Sequence, residues 1–588
     1  MASGSKMEFE LVNGSSIAVI GGGPAGSFFT YYALDFASRL DLDIRIDVYE
    51  AKNFSKVGSG GCNHCGGIIS ESLVQKLSTD GVIIPSEIVQ KTINSYTLHV
   101  EQGDAIIHTP SNEHRIASVF RGCGPKGCTD TSKRGFDHFL LGLCEKKGAN
   151  VIREKVSALE RMEDGIIVKS RNSENKKYDL VVGGVGLGKQ ALTMFKKICP
   201  EFIPPKVTKA YISEFFLKKD EVSSHIGESM HVFLLDLPQI TFGALIPKEN
   251  YVTLVLLGKD VDQDVVEKFI SSDQVKGLFP KGIVLKDTAP CKCYPQINIK
   301  HALHPYDDRV VLIGDSASSK LYKNGIGAAY ITGRAAAKTA IFKGVSKKSF
   351  KKFYAPVCRD LDVDNLVGKF IFLVTRVIQK SSFLKKGLLH LVMKEQASKN
   401  SKRLMSTALW DTFTGSAGYR NILRRFLNPV LLFNYLRSIS SSTLTFRQSK
   451  HEMHQKAIGH LYKNGEVIIK QGTTGDCLFV IQEGKVEVIF EKEQGEVKIA
   501  ELGKTEFFGE MGLFEKDVRS CTVRALGDAM VLTVDKKNFY KSIQEDASLA
   551  YRLLEKMSNR LREANMKAYS RNLDQDSEVF LEKEKELQ

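Results

Sequence analysis

The chain has 588 residues, 43% of them hydrophobic and 26% charged, with 15 prolines and a formal net charge of +15. That length exceeds a single hydrophobic core, so two globular domains are expected, and the composition excludes long disordered tracts. No window offers the run of about 18 uncharged apolar residues that a spanning helix needs; the apolar stretch from Leu366 to Met393 is broken by Lys369, Arg376 and Lys380. The amino terminus MASGSKMEFELVNGSS lacks the basic start, apolar run and cleavage site of a signal peptide. The expectation is therefore a cytoplasmic chain whose 11 cysteines are thiols or ligands rather than structural disulfides. The basic balance keeps an anionic membrane surface among the candidate partners.

In chain order, IAVI after Ser16 is a short, wholly apolar run of the kind that forms a buried parallel strand. GGGPAG follows at once, then SFFTYYALDFASRL with helical spacing of its apolar residues, then the strand-like IRIDVYE. Gly21, Gly23 and Gly26 thus fill a GxGxxG turn between strand and helix, and Glu50 ends the second strand. Each residue has a physical task. Gly21 permits the tight turn, Gly23 lets the backbone approach a pyrophosphate, Gly26 allows close helix packing, and Glu50 accepts hydrogen bonds from a ribose.

Alternation of strand and helix continues to about Ala340, so residues 1–345 read as one α/β domain of the Rossmann type, with an inserted substrate β-sheet over about 205–300. Cys62 and Cys65 form a CxxC, Cys123 and Cys128 lie close in sequence, and Cys291 and Cys293 form a CxC. A metal or a redox pair would require these loops to converge, and no metal site is assigned. Near Val310 an apolar strand ends in Gly314-Asp315, and the turn NGIG, with Gly325 and Gly327, leads into a small-residue helix.

Residues 346–450 read as a basic helical segment in which Phe370, Leu373, Val377, Leu384 and Leu388 recur at helical spacing among lysines. Such a helix suits either the face of the preceding domain or an anionic membrane interface. From about Gly465 short strands separated by glycine turns replace the helices, as in a small β-roll or jelly roll. Residues 451–570 form this last domain, closed by a long helix with Leu549, Leu553, Met557 and Leu561 on one stripe; residues 571–588 are an acidic tail.

Several of these segments resemble known families. VVLIGDSASSKLYKNGIGAAYITG is similar to the second flavin motif of FAD-dependent monooxygenases and reductases. That resemblance implies FAD as cofactor, Gly314 and Asp315 at the ribityl chain, and Gly325 and Gly327 beside the flavin ring. Together with GSGGCNHCGGIISESL and SKRGFDHFLLGLCEKKGANVI it resembles the geranylgeranyl reductase family over about residues 16–340. The family reduces isolated double bonds of prenyl chains. Its cysteine-glycine motif by the flavin is matched by Cys65, Gly66 and Gly67, which makes Cys65 the implied catalytic residue, and its flavin-contacting arginine is matched by Arg134. The sequence departs from the superfamily at GGVGLGKQ from Gly183, where an Asp-Gly pair is usual. The electron donor is therefore either NADPH or a ferredoxin-like protein.

FFGEMGLFEKDVRSCTVRA from Phe507 resembles the phosphate-binding cassette of cyclic-nucleotide-binding domains in the catabolite activator protein and in protein kinase regulatory subunits. In this reading Arg519 meets the cyclic phosphate, Glu510 the ribose 2′-hydroxyl, Gly509 the sugar and Ser520 a phosphate oxygen or the base. Alignment of the closing helix on the activator protein matches Arg560, but puts Ala564 and Asn565 where that protein reads adenine with Thr-Ser. Cyclic AMP is expected before cyclic GMP. The acidic residues after that helix are too few for a DNA-recognition element, so no nucleic acid partner is expected, while the apolar stripe suits a homodimer.

The expectation as a whole is an FAD-dependent oxidoreductase acting on a prenyl or other lipid substrate under cyclic-nucleotide control. An oxygen-using hydroxylase on the same fold and a non-catalytic sensor of flavin and cyclic nucleotide are the alternatives.

Overall fold

A computed structural model describes residues 9–62, 66–109, 113, 115–128, 135–171, 174–283, 285, 289–322, 324–398, 403–440, 458–492, 495–511, 518–545, 550–551, 554–562 and 565–566. The chain divides into two compact units, one of residues 1–74 with 84–460, the other of residues 75–83 with 461–588.

The first unit is built on a six-stranded sheet in the order Tyr306–Asp307, Val310–Leu312, Leu180–Gly183, Ser15–Ile20, Ile44–Tyr49, Asn150–Ile152. All neighbours are parallel except the first pair, a hairpin. Helices cover both faces of such a sheet, which is why Ile17, Ala18 and Val19 are apolar in succession and all fully buried. Helix Pro24–Ser38 crosses helix Gly325–Lys343, where a Cβ on Gly333 would sit 2.8 Å from the carbonyl oxygen of Ala25. Gly333 therefore sets how closely the two helices meet.

A second sheet has seven strands in the order Cys291–Cys293, Tyr211–Phe216, Tyr251–Gly258, Ile240–Pro247, Ser229–Phe233, Ser95–Val100, Gly103–His108. The inserted sheet was expected at about 205–300, yet two of its strands come from much earlier in the chain, Ser95–Val100 pairing in parallel with Ser229–Phe233. One face packs Tyr96, Val232 and Leu234 against Leu389 and Trp410 of the helices Ser382–Ala397 and Leu404–Thr414. The other packs Phe233 and Leu254 against Val266 and Phe269 of helix Gln263–Ile270. The helical segment thus belongs to the first unit and roofs this sheet.

Within the second sheet a chain of polar contacts runs inward from the exposed Asp104 Oδ1 to His99 Nδ1 (2.6 Å), from His99 Nε2 to His231 Nδ1 (2.7 Å) and from His231 Nε2 to the carbonyl oxygen of Ile226 (2.9 Å). Burial, and then the neighbouring His99, push the His231 imidazole down to about 3. The folded state therefore refuses a proton that the unfolded chain accepts below about 6.5, so stability present above that value is lost as pH falls from about 6.5 towards 3. Between about pH 6.5 and 5, before carboxylates protonate in the unfolded chain, His231 is expected to cost about 2 kcal/mol of unfolding free energy. Denaturant melts at the two pH values check this, and His231→Asn should flatten the difference.

The second unit is a β-roll. Strand Cys477–Lys492 pairs antiparallel with Thr522–Asp535 on one side and Gly495–Leu502 on the other, around a core of Ile469, Phe479, Ile481, Val486 and Phe508. Phe479 and Phe508 stack with centroids 5.3 Å apart. Helix Lys536–Glu545 follows, and residues 554–562 are helical again. Among the described residues no helix is long and apolar enough to cross a membrane.

Candidate functional site

The first candidate site forms where strand Ser15–Ile20 hands the chain to helix Pro24–Ser38. Gly21 has φ of 100°, and a Cβ there would lie 2.4 Å from the carbonyl oxygen of Gly184. A Cβ on Gly26 would lie 1.9 Å from the carbonyl oxygen of Gly21, so the first helical turn and the loop touch backbone to backbone. Gly23 is the N-cap, and its carbonyl accepts from Ser27 N at 2.9 Å. Glu50 ends its strand with both carboxylate oxygens engaged, one by Gly22 N at 2.8 Å and one by Lys52 N at 2.7 Å. Burial nonetheless pushes this carboxyl up, against the pull of those two bonds.

Gly314, with φ of 63°, faces the same helix start, a Cβ on it meeting Ala25 Cβ at 2.6 Å. Asp315 beside it is pushed up by burial, opposed by a bond from Ser319 and the charge of Arg121. Asn324 adopts the left-handed conformation and caps helix Gly325–Lys343, its side chain accepting from Gly327 N at 3.0 Å. The two glycine motifs, distant in sequence, thus meet at one helix terminus, which favours an anion.

Gly66 and Gly67 connect this region to the second sheet. A Cβ on Gly66 would lie 3.0 Å from both Ile246 Cδ1 and Val255 Cγ2, and one on Gly67 would lie 1.9 Å from the carbonyl oxygen of Val119. Cys65 and Arg134 fall outside the described residues. An arginine that sequence reasoning missed is Arg121, which grips fully buried Asp137 through Nε (2.5 Å) and Nη2 (2.8 Å). Asp137 was visible as part of the FD pair; nothing in the spacing marked Arg121 as its partner.

Between the second sheet and its helical roof lies a cavity of about 180 Å³ that is partly open to solvent. Leu234 and Phe242 of the sheet, Ile371 and Phe413 of the helices, and Tyr322 help line it, and its walls are almost wholly apolar. Tyr322 is the cavity residue nearest in sequence to the Asn324 turn. Its phenol is pushed up by burial, against a hydrogen bond with the Thr241 side chain.

The cysteine pairs partly converge. Lys126 N donates to Cys291 Sγ at 3.0 Å, and Cys128 bonds the Tyr251 phenol, which burial first and Cys128 next push up to about 12. Among the described residues no group of three or more His, Cys, Asp or Glu could hold a metal ion.

The second candidate site lies in the β-roll. Arg519 is buried, donating through Nη1 to the carbonyl oxygen of Gly509 (2.5 Å) and through Nη2 to that of Cys477 (2.9 Å). Gly509 has φ of 76°, and a Cβ on Gly475 would strike Arg519 Nη2 at 2.4 Å. Glu510 pairs with Arg560 Nη1 at 3.3 Å, while Arg560 Nη2 donates to the carbonyl oxygen of Phe507 at 2.6 Å. Gly509, Glu510, Arg519 and Arg560 are thus brought together. Ser520 is exposed, its hydroxyl 3.7 Å from Met511 Sδ. Residues 512–517 and Ala564 lie outside the described residues. Gly475 and the Cys477 carbonyl, which hold the guanidinium, were not read from the sequence.

A mainly parallel sheet with this pair of glycine motifs and a mixed, mainly antiparallel second sheet resembles the fold of flavin-dependent oxidoreductases, joined here to a cyclic nucleotide-binding domain. Residues 460–546 match the cyclic nucleotide-binding domain family. Over 79 residues the chain is 42% identical to a cAMP-dependent protein kinase type II regulatory subunit of Drosophila melanogaster, covering 13% of this chain and 21% of that one. Over 111 residues it is 35% identical to the cAMP-activated global transcriptional regulator Vfr of Pseudomonas aeruginosa, covering 18% of this chain and 52% of that one. The chain therefore spans about half or less of these curated relatives. Among solved structures, a geranylgeranyl bacteriochlorophyll reductase-like protein of Thermoplasma acidophilum superposes with a TM-score of 0.50 at 15% identity, covering 71% of this chain and 99% of that one. That likeness is one of fold.

Proposed function

We propose that the first unit is an FAD-dependent oxidoreductase that reduces isolated double bonds of a prenyl or other lipid substrate. The cyclic nucleotide-binding domain regulates it, with cyclic AMP the ligand before cyclic GMP. The observation that carries the substrate class is the apolar cavity: a polar substrate would lose its hydration there with few partners in return, whereas an isoprenoid chain gains by burial.

The glycine turn suits FAD, since Gly21 and Gly26 pack backbone against backbone where a side chain would clash, which keeps the turn tight at the helix terminus that favours a pyrophosphate. FAD, when bound and reduced by its electron donor, would supply a hydride equivalent to a carbon–carbon double bond. Gly21, Gly23 and Gly26 then receive the pyrophosphate, Glu50 the adenosine ribose, and Gly314 and Asp315 the ribityl chain. Gly66, Gly67, Gly325 and Gly327 would border the ring, and the family resemblance assigns Arg134 a flavin contact and Cys65 the catalytic role. Electrons arrive from NADPH or a ferredoxin-like protein. Tyr322, which lines the cavity, supplies the proton from its phenol, whose protonated form burial favours.

The test is a single anaerobic turnover. Protein reduced with dithionite and mixed with a geranylgeranyl lipid is expected to reoxidise its flavin and yield product heavier by two hydrogens per double bond, measured by mass spectrometry. Product that gains oxygen only in air would favour a hydroxylase, and no product a sensor. Tyr322→Phe is expected to slow product formation by about a hundredfold with flavin content unchanged. An unaltered rate would move the proton source elsewhere.

A further inference from the structure

The long helix Ala355–Lys380 and the helix Pro429–Ser440 each turn one stripe of large apolar side chains outward. On the first, Phe370, Leu373 and Val377 are 52%, 62% and 57% exposed; on the second, Val430, Phe433 and Leu436 are 58%, 65% and 66% exposed. The spacing of three and four residues makes each set a continuous ridge. A soluble surface seldom leaves so much contiguous apolar area to water without a partner.

Two further observations say what that partner is. Phe370 and Val374 of the first helix and Leu432 of the second line the apolar cavity and are themselves exposed, so the ridges border the cavity mouth. From Asn365 onward the exposed charged residues of these helices are basic, and Asp360, earlier on the first helix, is exposed but paired with Arg420. Lys369, Lys380, Lys386, Arg424 and Arg437 are exposed on these helices and their neighbours, whereas the only carboxylates between Asn365 and Ser440 are Glu395 and Asp411. Both are buried, Glu395 accepting from Met405 N and Ser406 N, and Asp411 pairing with Arg425.

We infer that this face docks on an anionic lipid bilayer, the apolar ridges entering the headgroup boundary and the surrounding lysines and arginines meeting lipid phosphates. Charge complementarity selects a bilayer over a second copy of the chain. A two-fold contact would oppose the same basic rim to itself, while anionic headgroups neutralise it. The cavity mouth then opens at membrane level, so an isoprenoid chain passes from bilayer to cavity without crossing water. That last step rests on the proposed lipid substrate; docking does not.

The experiment is flotation of the full chain with vesicles of phosphatidylcholine alone or mixed with phosphatidylglycerol. The wild-type protein is expected to float with the anionic vesicles and to be partly released by high salt. Leu373→Glu combined with Phe433→Glu, two positions that do not line the cavity, should reduce the floated fraction at least tenfold, with flavin content and turnover of detergent-dispersed lipid unchanged. Lys369→Glu with Lys380→Glu, outside any core, should produce a similar loss should the first pair disturb folding. The inference is overturned when wild-type protein stays at the bottom with anionic vesicles, or when both variant pairs float as well as wild type. It is equally overturned when sedimentation gives a wild-type dimer that Leu373→Glu with Phe433→Glu dissociates, since the face is then a contact between copies. Flotation without any lipid turnover would sink the reductase reading and leave docking intact.

Discussion

Arg519→Ala is expected to weaken cyclic AMP binding by about a hundredfold to a few thousandfold while FAD content stays at the wild-type level. The guanidinium is buried, its two anchors are backbone carbonyls, and among the described residues no carboxylate pairs with it. A cyclic phosphate entering beside it gains a charge-assisted contact, and removing one partner of such a buried pair typically costs about 3–5 kcal/mol, with each 1.4 kcal/mol worth tenfold. Calorimetric titration of wild type, Arg519→Ala and Arg519→Lys measures this, the lysine keeping charge but losing the fork that grips Gly509 and Cys477. If the nucleotide controls turnover, a coupling of about 1–3 kcal/mol changes the rate several-fold to about a hundredfold at saturation. Arg519→Ala should then retain the basal rate and lose the response. Wild-type turnover, vesicle binding and oligomeric state all indifferent to saturating cyclic AMP and cyclic GMP would sink the regulatory reading.

Gly26→Ala should yield colourless protein. The added methyl would sit 1.9 Å from the Gly21 carbonyl oxygen, a backbone atom that cannot rotate aside. Gly21 is itself confined, because it needs φ of 100° and lies against Gly184. The strain therefore spreads to the junction between two parallel strands, and the cost belongs at or above the upper end of the usual 1–3 kcal/mol for overpacking. Loss of the flavin absorbance with cyclic AMP affinity retained would assign the damage to the first unit. Full FAD occupancy in Gly26→Ala would mean the cofactor lies elsewhere.

How much of this was legible in sequence differs by element. The glycine turn and its flanking strands were readable because the apolar run at Ile17 and the positive φ at Gly21 each demand a specific residue type. Arg519 and Glu510 were readable for the same reason, a compact cassette with a dedicated residue at each task. The second sheet was only half legible. Ser95–Val100 and Gly103–His108 were not singled out, because no local pattern tells a strand that its parallel neighbour, Ser229–Phe233, lies far downstream. The Arg121–Asp137 pair was missed for a related reason: ion pairs between loop and helix leave no periodic trace. The roof of the cavity, from Ile371 to Tyr435, came from a segment that read equally well as a membrane-surface helix.

The junction of Ser95–Val100 with Ser229–Phe233 also governs how the protein is made. Together with the pairing of Ser15–Ile20 to Leu180–Gly183 and of that strand to Val310–Leu312, it means that neither sheet of the first unit can be completed from a nascent chain that has delivered only its early strands. Closing such long loops is entropically costly and slow, and unpaired edges wait exposed in the meantime. The β-roll of the other unit pairs mainly strands close in sequence, Cys477–Lys492 with Gly495–Leu502 and Thr522–Asp535. On the ribosome, the parallel sheet of the first unit therefore keeps unpaired edges until the Val310 strand has emerged, while the main pairings of the β-roll join strands that appear close together.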